Sequence, residues 1–231
     1  MIVLIWYDDI SSRQENRFQK NRKRYNREGS YDYNEIEYGV GMGQEEGLRQ
    51  KELRDRGEWY YDAGTEMIDE LMRAKVLCFK LNQIRPDKTA KRQKLLKKLL
   101  GSIGENTNLI SPFHCDYGYN ITIGKNCLIN YNAVFLDCGK ITIGDHVLIA
   151  PNAAFYTIEH QLSGAERRKQ LLDKVTPIVI EDDVWIGGNV TILPGVTIGK
   201  GSVIGAGSVV TKSIPAGVVA VGNPCKVLRK I

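Results

Sequence analysis

Three histidines stand in this chain of 231 residues: His114, His146 and His160. Histidine is the side chain whose ordinary titration lies near neutrality. It can take a proton from a hydroxyl whose own pKa is far above 7, which is the work of a general base. His160 is the foremost candidate. It lies near the start of a polar, charged stretch, YTIEHQLSGAERRKQLLDKVTP, at 156–177. A loop leaving a rigid scaffold is where catalytic side chains concentrate. His114 and His146 read as structural or exposed. The five cysteines, Cys78, Cys115, Cys127, Cys138 and Cys225, are odd in number and contain no CxxC pair. They read as buried, reduced thiols of a cytoplasmic protein. With these cysteines and scattered histidines, no metal site is expected. No GxGxxG follows a strand pattern, no P-loop occurs, and GxSxG is absent, so a nucleotide fold or serine hydrolase is not supported.

The scaffold that must position His160 announces itself by period. Ile180, Ile186, Ile192, Ile198, Ile204 and Val210 recur every six residues. Neither a helix, with period 3.6, nor a plain strand, with period 2, produces that spacing. A six-residue repeat marks a solenoid of short strands and tight turns. Ile123, Ile129 and Phe135 keep the period, as do Ile143, Ile149 and Phe155. Two extra residues enter near Asp137 to Lys140, and the long polar stretch separates Phe155 from Ile180. Both insertions read as bulges out of the coil.

Three segments follow. Residues 1–56 carry a basic run from Arg13 to Arg27 and no apolar period, so they are expected to be a poorly ordered extension. Residues 57–108 are expected to be a helical segment. Met67, Leu71, Ala74 and Cys78 fall at helical spacing, Arg85-Pro86-Asp87 breaks the pattern, and a second helix runs from Thr89 to Gly101. Helices this short need the solenoid to pack on. Residues 109–231 are expected to be the solenoid, with an excursion over 156–177. The net charge of +5 does not by itself call for nucleic acid. No apolar run reaches the roughly 20 residues of a membrane span, and MIVLIWY, which meets Asp8-Asp9 at once, does not read as a signal peptide.

At this point the residues resemble a known family. The helices after Trp59-Tyr60, the segment TIEH, and DDVWIGGNVTILPGVTIGKGSVIGAGSVVTKSIPAGVVAVGNPCKVLRKI are similar to the maltose/galactoside O-acetyltransferases, which are hexapeptide-repeat acyltransferases. The resemblance covers about residues 57–231. It implies a mainly β fold, a left-handed parallel β-helix of hexapeptide repeats with a short N-terminal helical segment. It also implies a homotrimer with acetyl-CoA bound between neighbouring subunits, and transfer of acetyl to a hydroxyl of a sugar such as maltose, glucose or a galactoside. The resemblance puts the catalytic base at His160. It puts Asp62, Asp116, Asn130 and the Asp137/Cys138 turn at the acceptor, although the family's binding acid matches Cys138 rather than Asp137. Trp185, Gly188, Ala206, Thr211, Lys212, Lys226 and Arg229 match its coenzyme positions. Antibiotic O-acetyltransferases of the same fold are the alternative, with a non-catalytic hexapeptide scaffold as a third reading. A zinc enzyme of the γ-carbonic anhydrase type is disfavoured, because the histidines stand 32 and 14 residues apart rather than one coil apart. The helical segment at 57–100 favours the sugar branch.

Overall fold

The computed structural model describes residues 44–61, 65–161 and 172–231. In it the six-residue period becomes strands of two to four residues that run parallel in three sheets. The first sheet holds Ser102–Ile103, Ile121–Ile123, Ile141–Ile143, Ile178–Ile180 and Thr197–Ile198. The second contains Trp185–Ile186 and Val203–Ile204, and the third contains Phe113–Cys115, Ala133–Leu136, Ala154–Tyr156 and Val209–Val210. Registers pair Ile180 with Ile198, Ile186 with Ile204 and Ile192 with Val210. Each inward residue therefore sits one coil from its like, and all six are fully buried. Phe113, Phe135 and Phe155 stack inside the third sheet, with ring centroids 5.3 and 4.3 Å apart.

A second buried column, Val184, Val190 and Val196, also repeats every six residues. Ser202 and Ser208 continue it with satisfied hydroxyls: Ser202 Oγ donates to the Pro215 carbonyl at 2.8 Å, and Ser208 Oγ to that of Gly205 at 2.6 Å. Cys127 fills the equivalent slot between Thr107 and Val147, taking the Val147 N–H on its sulfur at 3.4 Å. Corners between sheets need left-handed backbone, which Asn, Asp and His accept more readily than other side chains. Asn106, Asn126, His146 and Asp183 occupy one such corner at φ of 55 to 60°, linked by side-chain contacts of 3.2, 3.1 and 3.4 Å. That explains His146 without chemistry. Asn132, Asn152 and Asn189 form a second ladder.

Among the described residues, three helices stand before the solenoid: α1 (Gln44–Asp55), α2 (Thr65–Asn82) and α3 (Thr89–Leu99). Ala74, Cys78, Leu81, Leu96, Leu99 and Leu100 join the solenoid's own apolar core. The helices thus cover the first coil and remove an open end that would otherwise invite strand pairing. Gly101 ends this cap because a Cβ there would stand 2.3 Å from the Tyr119 carbonyl. At the other end, Val218–Val221 pairs antiparallel with Lys226–Lys230.

Two expected boundaries move. Helix α1 falls inside the stretch read as an extension. It is held by Arg54, which is 1% exposed: its guanidinium donates to Tyr119 Oη at 3.2 Å and lies 4.7 Å from the Tyr117 ring centroid. An arginine anchor does not register in an apolar period. The solenoid also starts earlier than residue 109, at Ser102. Ile103, Leu109 and Cys115 keep the six-residue step, but Ile103 is only half-buried and Cys115 takes the slot filled by Phe135 one coil on.

Candidate active site

The departures from the six-residue period all fall at one place. Residues 116–120, 137–140 and 157–177 each connect the third sheet to the first, on successive coils. Asp116, Asp137, Cys138 and His160 are therefore collected along one corner, although they are spread over 45 residues of chain.

Asp137 organises that corner from within. It is fully buried, and its Oδ1 accepts the backbone N–H groups of Asp116 and Tyr117, both at 2.9 Å. Its Oδ2 has no partner. Burial pushes its carboxyl up to about 6, with the nearby Asp116 adding to the shift and the backbone donors opposing it. Asp137 thus lies inside the wall, not on its surface as an acceptor contact would require. Cys138 is also buried, and its thiol donates to Asp116 Oδ2 at 3.5 Å. Asp116 is half-buried and keeps some access to solvent. One coil on, Thr157 Oγ1 donates to the Leu136 carbonyl at 2.7 Å and accepts the Gly139 N–H at 2.8 Å.

From Thr157 the chain leaves the coil as a hairpin rather than a plain loop. Ile158–His160 pairs antiparallel with Leu172–Val175, and the latter pairs with Tyr60–Tyr61 on its other side. The register sets His160 directly opposite Asp173. His160 Nδ1 lies 2.5 Å from Asp173 Oδ1, with the imidazole 57% and the carboxylate 9% exposed. At ion-pair distance the buried carboxylate faces the Nδ1 side of the ring and favours a proton there, which leaves Nε2 as the lone pair. This is the arrangement of an oriented general base. Asp173 is a candidate that the period cannot reveal, because only the hairpin register sets it opposite His160.

The other expected residues occupy different positions. Asn130 stands between the second and third sheets, half-exposed, with its Oδ1 accepting the Tyr131 N–H at 2.8 Å. It belongs to neither asparagine ladder. Gly188 and Ala206 lie at that same corner on later coils. Trp185 is 53% exposed on the second sheet. Thr211 and Lys212 are exposed after the last strand of the third sheet, and Lys226 and Arg229 are exposed on the terminal strand. His160 and the expected coenzyme residues Gly188 and Ala206 thus stand at opposite ends of the third sheet's strands, and one chain does not bring them together. Asp62 and the tip of the hairpin lie outside the described residues. Among the described residues, no group of three or more His, Cys, Asp or Glu is arranged to hold a metal ion. None of the described helices is long and apolar enough to cross a membrane.

Gly188 is distinctive among the glycines of that corner. A Cβ on Gly187 would meet the Ala206 nitrogen at 2.6 Å, and Gly207 has φ of 73°, so the fold itself demands glycine at both. A Cβ on Gly188 would meet only the Pro151 carbonyl, at an ordinary 3.5 Å. The fold itself therefore leaves room for a side chain at 188.

A hexapeptide solenoid closed by a helical cap defines a class of bacterial-type acyl transferases, and the comparisons agree. Residues 55–104 match the maltose acetyltransferase hexapeptide capping motif, and residues 177–212 match the bacterial transferase hexapeptide of six repeats. A Staphylococcus aureus protein named by inference as an acetyltransferase is 51% identical over 75% of this chain and 88% of its own length. The crystal structure of a maltose O-acetyltransferase from Clostridium difficile is 46% identical, with a TM-score of 0.77 over 79% of this chain and 97% of that one. A galactoside acetyltransferase in complex with coenzyme A is 41% identical, with a TM-score of 0.75 over 82% of this chain and 92% of that one. The chain belongs to the maltose/galactoside O-acetyltransferase family of hexapeptide-repeat acyltransferases.

Proposed function

We propose that this acetyltransferase moves an acetyl group from acetyl-CoA to a hydroxyl of a sugar such as maltose, glucose or a galactoside. The observation that carries the reading is the His160–Asp173 pair at the base of the hairpin. Nε2 of His160 takes the hydroxyl proton, and the alkoxide oxygen attacks the thioester carbonyl. The C–S bond breaks, and the departing thiolate takes the proton back from the imidazolium. Asp173 stabilises the positive ring in between. The Gly188 N–H is the candidate donor to the developing oxyanion. Asp116 and Asn130 are the polar groups offered to the acceptor, joined by Asp62. Asp137 and Cys138 support Asp116 from behind. Lys212, Lys226 and Arg229 supply positive charge for the coenzyme phosphates, and Trp185, Ala206 and Thr211 line its path.

The active unit in this proposal is a homotrimer. Outward residues of the first sheet include Thr122, Thr142 and Thr197, which suit water. Those of the second include Leu148, 47% exposed, and Trp185; those of the third include Val134 and Val209. Two apolar faces per chain fit a closed ring in which the second face of one copy meets the third face of the next. That contact would carry His160 of one subunit towards Gly188 of another and complete a site that one chain leaves divided. Five free thiols suit a reducing, cytoplasmic setting.

Two measurements test this. Light scattering should return about three times 26.0 kDa; a stable, active monomer sinks the shared site. A screen of sugars and antibiotics with acetyl-CoA, followed by thiol release, should find turnover with sugars that His160→Ala lowers by roughly 10²- to 10⁴-fold. Turnover confined to antibiotics favours the alternative acceptor class, and no turnover with any acceptor favours a scaffold.

A further inference from the structure

The helical cap and the first coil meet at a pair of thiols outside the acetyl-transfer site. Cys78 lies on α2, and Cys115 is the inward end of strand Phe113–Cys115. Their sulfurs are 3.5 Å apart. Both are nearly buried, yet both line a cleft of about 370 Å³ whose walls also include Lys75, Phe79, Asn82 and His114. Phe79 and His114 are exposed at its rim.

We propose that Cys78 and Cys115 are a redox dithiol, oxidised to a disulfide by a small disulfide such as glutathione disulfide, which ties α2 to the first coil. The two sulfurs already touch: to form the bond they must close from 3.5 Å to about 2.05 Å. The order of attack follows from the hydrogen bond between them. That shared bond holds the Cys78 thiol below its usual range, while the same bond and burial push Cys115 up. Cys78 is therefore the first nucleophile. Its thiolate attacks glutathione disulfide, forms a Cys78–glutathione mixed disulfide and expels one glutathione thiolate. Cys115 then gives its proton to water and displaces the second glutathione from Cys78. Two cysteine thiols are oxidised, and one glutathione disulfide is reduced to two glutathione thiols. Among the described residues, the Cys78–Cys115 contact is the one approach of two sulfurs.

The inference does not depend on the acceptor or on the proposed activity. The test is to incubate the full chain with glutathione disulfide, count free thiols, and map cross-linked peptides by mass spectrometry. The expected result is a fall from five thiols to three, a peptide pair joined through Cys78 and Cys115, and a melting temperature raised by about 5 °C or more. A reducing agent should reverse all three. Cys115→Ser should stop at a glutathione adduct on Cys78, and Cys78→Ser should leave Cys115 unmodified. Five thiols surviving, or adducts at the other cysteines without the 78–115 link, overturns the proposal. Mapping the unmodified chain decides the matter even if either serine variant fails to fold.

Discussion

Replacing Asp173 with Asn tests the oriented base most directly. The variant keeps size and hydrogen-bonding shape but removes the charge facing His160 Nδ1 at 2.5 Å. Two unit charges about 4 Å apart at an effective dielectric near 20 attract by about 4 kcal/mol. The imidazole is 57% exposed, so water and salt screen part of that attraction. Roughly 2 kcal/mol, about half of it, is the reasonable share here. Because the imidazolium exists only while the proton is in transit, the loss falls on the transition state. At about 1.4 kcal/mol per decade, kcat should drop about 30-fold. KM for acetyl-CoA should stay within about twofold if Asp173 acts only through the base. The assay is thiol release at saturating acceptor, run on Asp173→Asn, His160→Ala and the double variant. If Asp173 acts through His160, the double variant should be no slower than His160→Ala. A further 30-fold loss in the double variant, or an Asp173→Asn enzyme within threefold of the parent, refutes the orientation argument.

Three other outcomes follow from the geometry. Asp137 ionises near 6 when folded, against an ordinary 3.8, so the folded state holds its proton more tightly than the unfolded chain does. Its contribution is fully present below about pH 4 and is lost as pH rises through 6, by about 3 kcal/mol in all; Asp137→Asn should flatten that part of the melting-temperature profile, and an unchanged slope would count against it. Gly188→Ala should melt within about 2 °C of the parent while raising KM for acetyl-CoA or lowering kcat about tenfold, whereas Gly187→Ala should lose about 2 kcal/mol or more of stability to its 2.6 Å clash; similar melting of the two variants would contradict the distinction. Removing residues 1–56 should lower the melting temperature at least 5 °C further than removing 1–43, because only the longer cut deletes α1 and buried Arg54; equal melting would show α1 to be dispensable.

Much was legible from the chain alone because apolar spacing is a direct print of backbone geometry. Six-residue steps from Ile180 to Val210 state that an inward position recurs every sixth residue, and the registers Ile180 to Ile198 and Ile192 to Val210 carry this out. The extra residues near Asp137 and the polar run after Phe155 likewise located the bulges, and with them His160. The cap at α2 and α3 was readable from Met67, Ala74 and Cys78 at helical spacing. The hand of the coil and the coenzyme positions came only through resemblance, since period is blind to chirality and to ligands.

Tertiary structure decided what depends on contacts between distant segments. It stacked the insertions of three coils into one corner, because each coil turns from the third sheet to the first at the same point. It buried Asp137 within that corner, where a sequence reading had it facing a ligand. It made Asp173 the partner of His160 through a hairpin register that no residue type announces. It also drew α1 into the fold through Arg54, whose hold on Tyr117 and Tyr119 is polar and aromatic. A repeat in the sequence reports which side chains face inward along one coil; which charges meet across coils is a property of the wound chain, because those meetings are set by where its turns align.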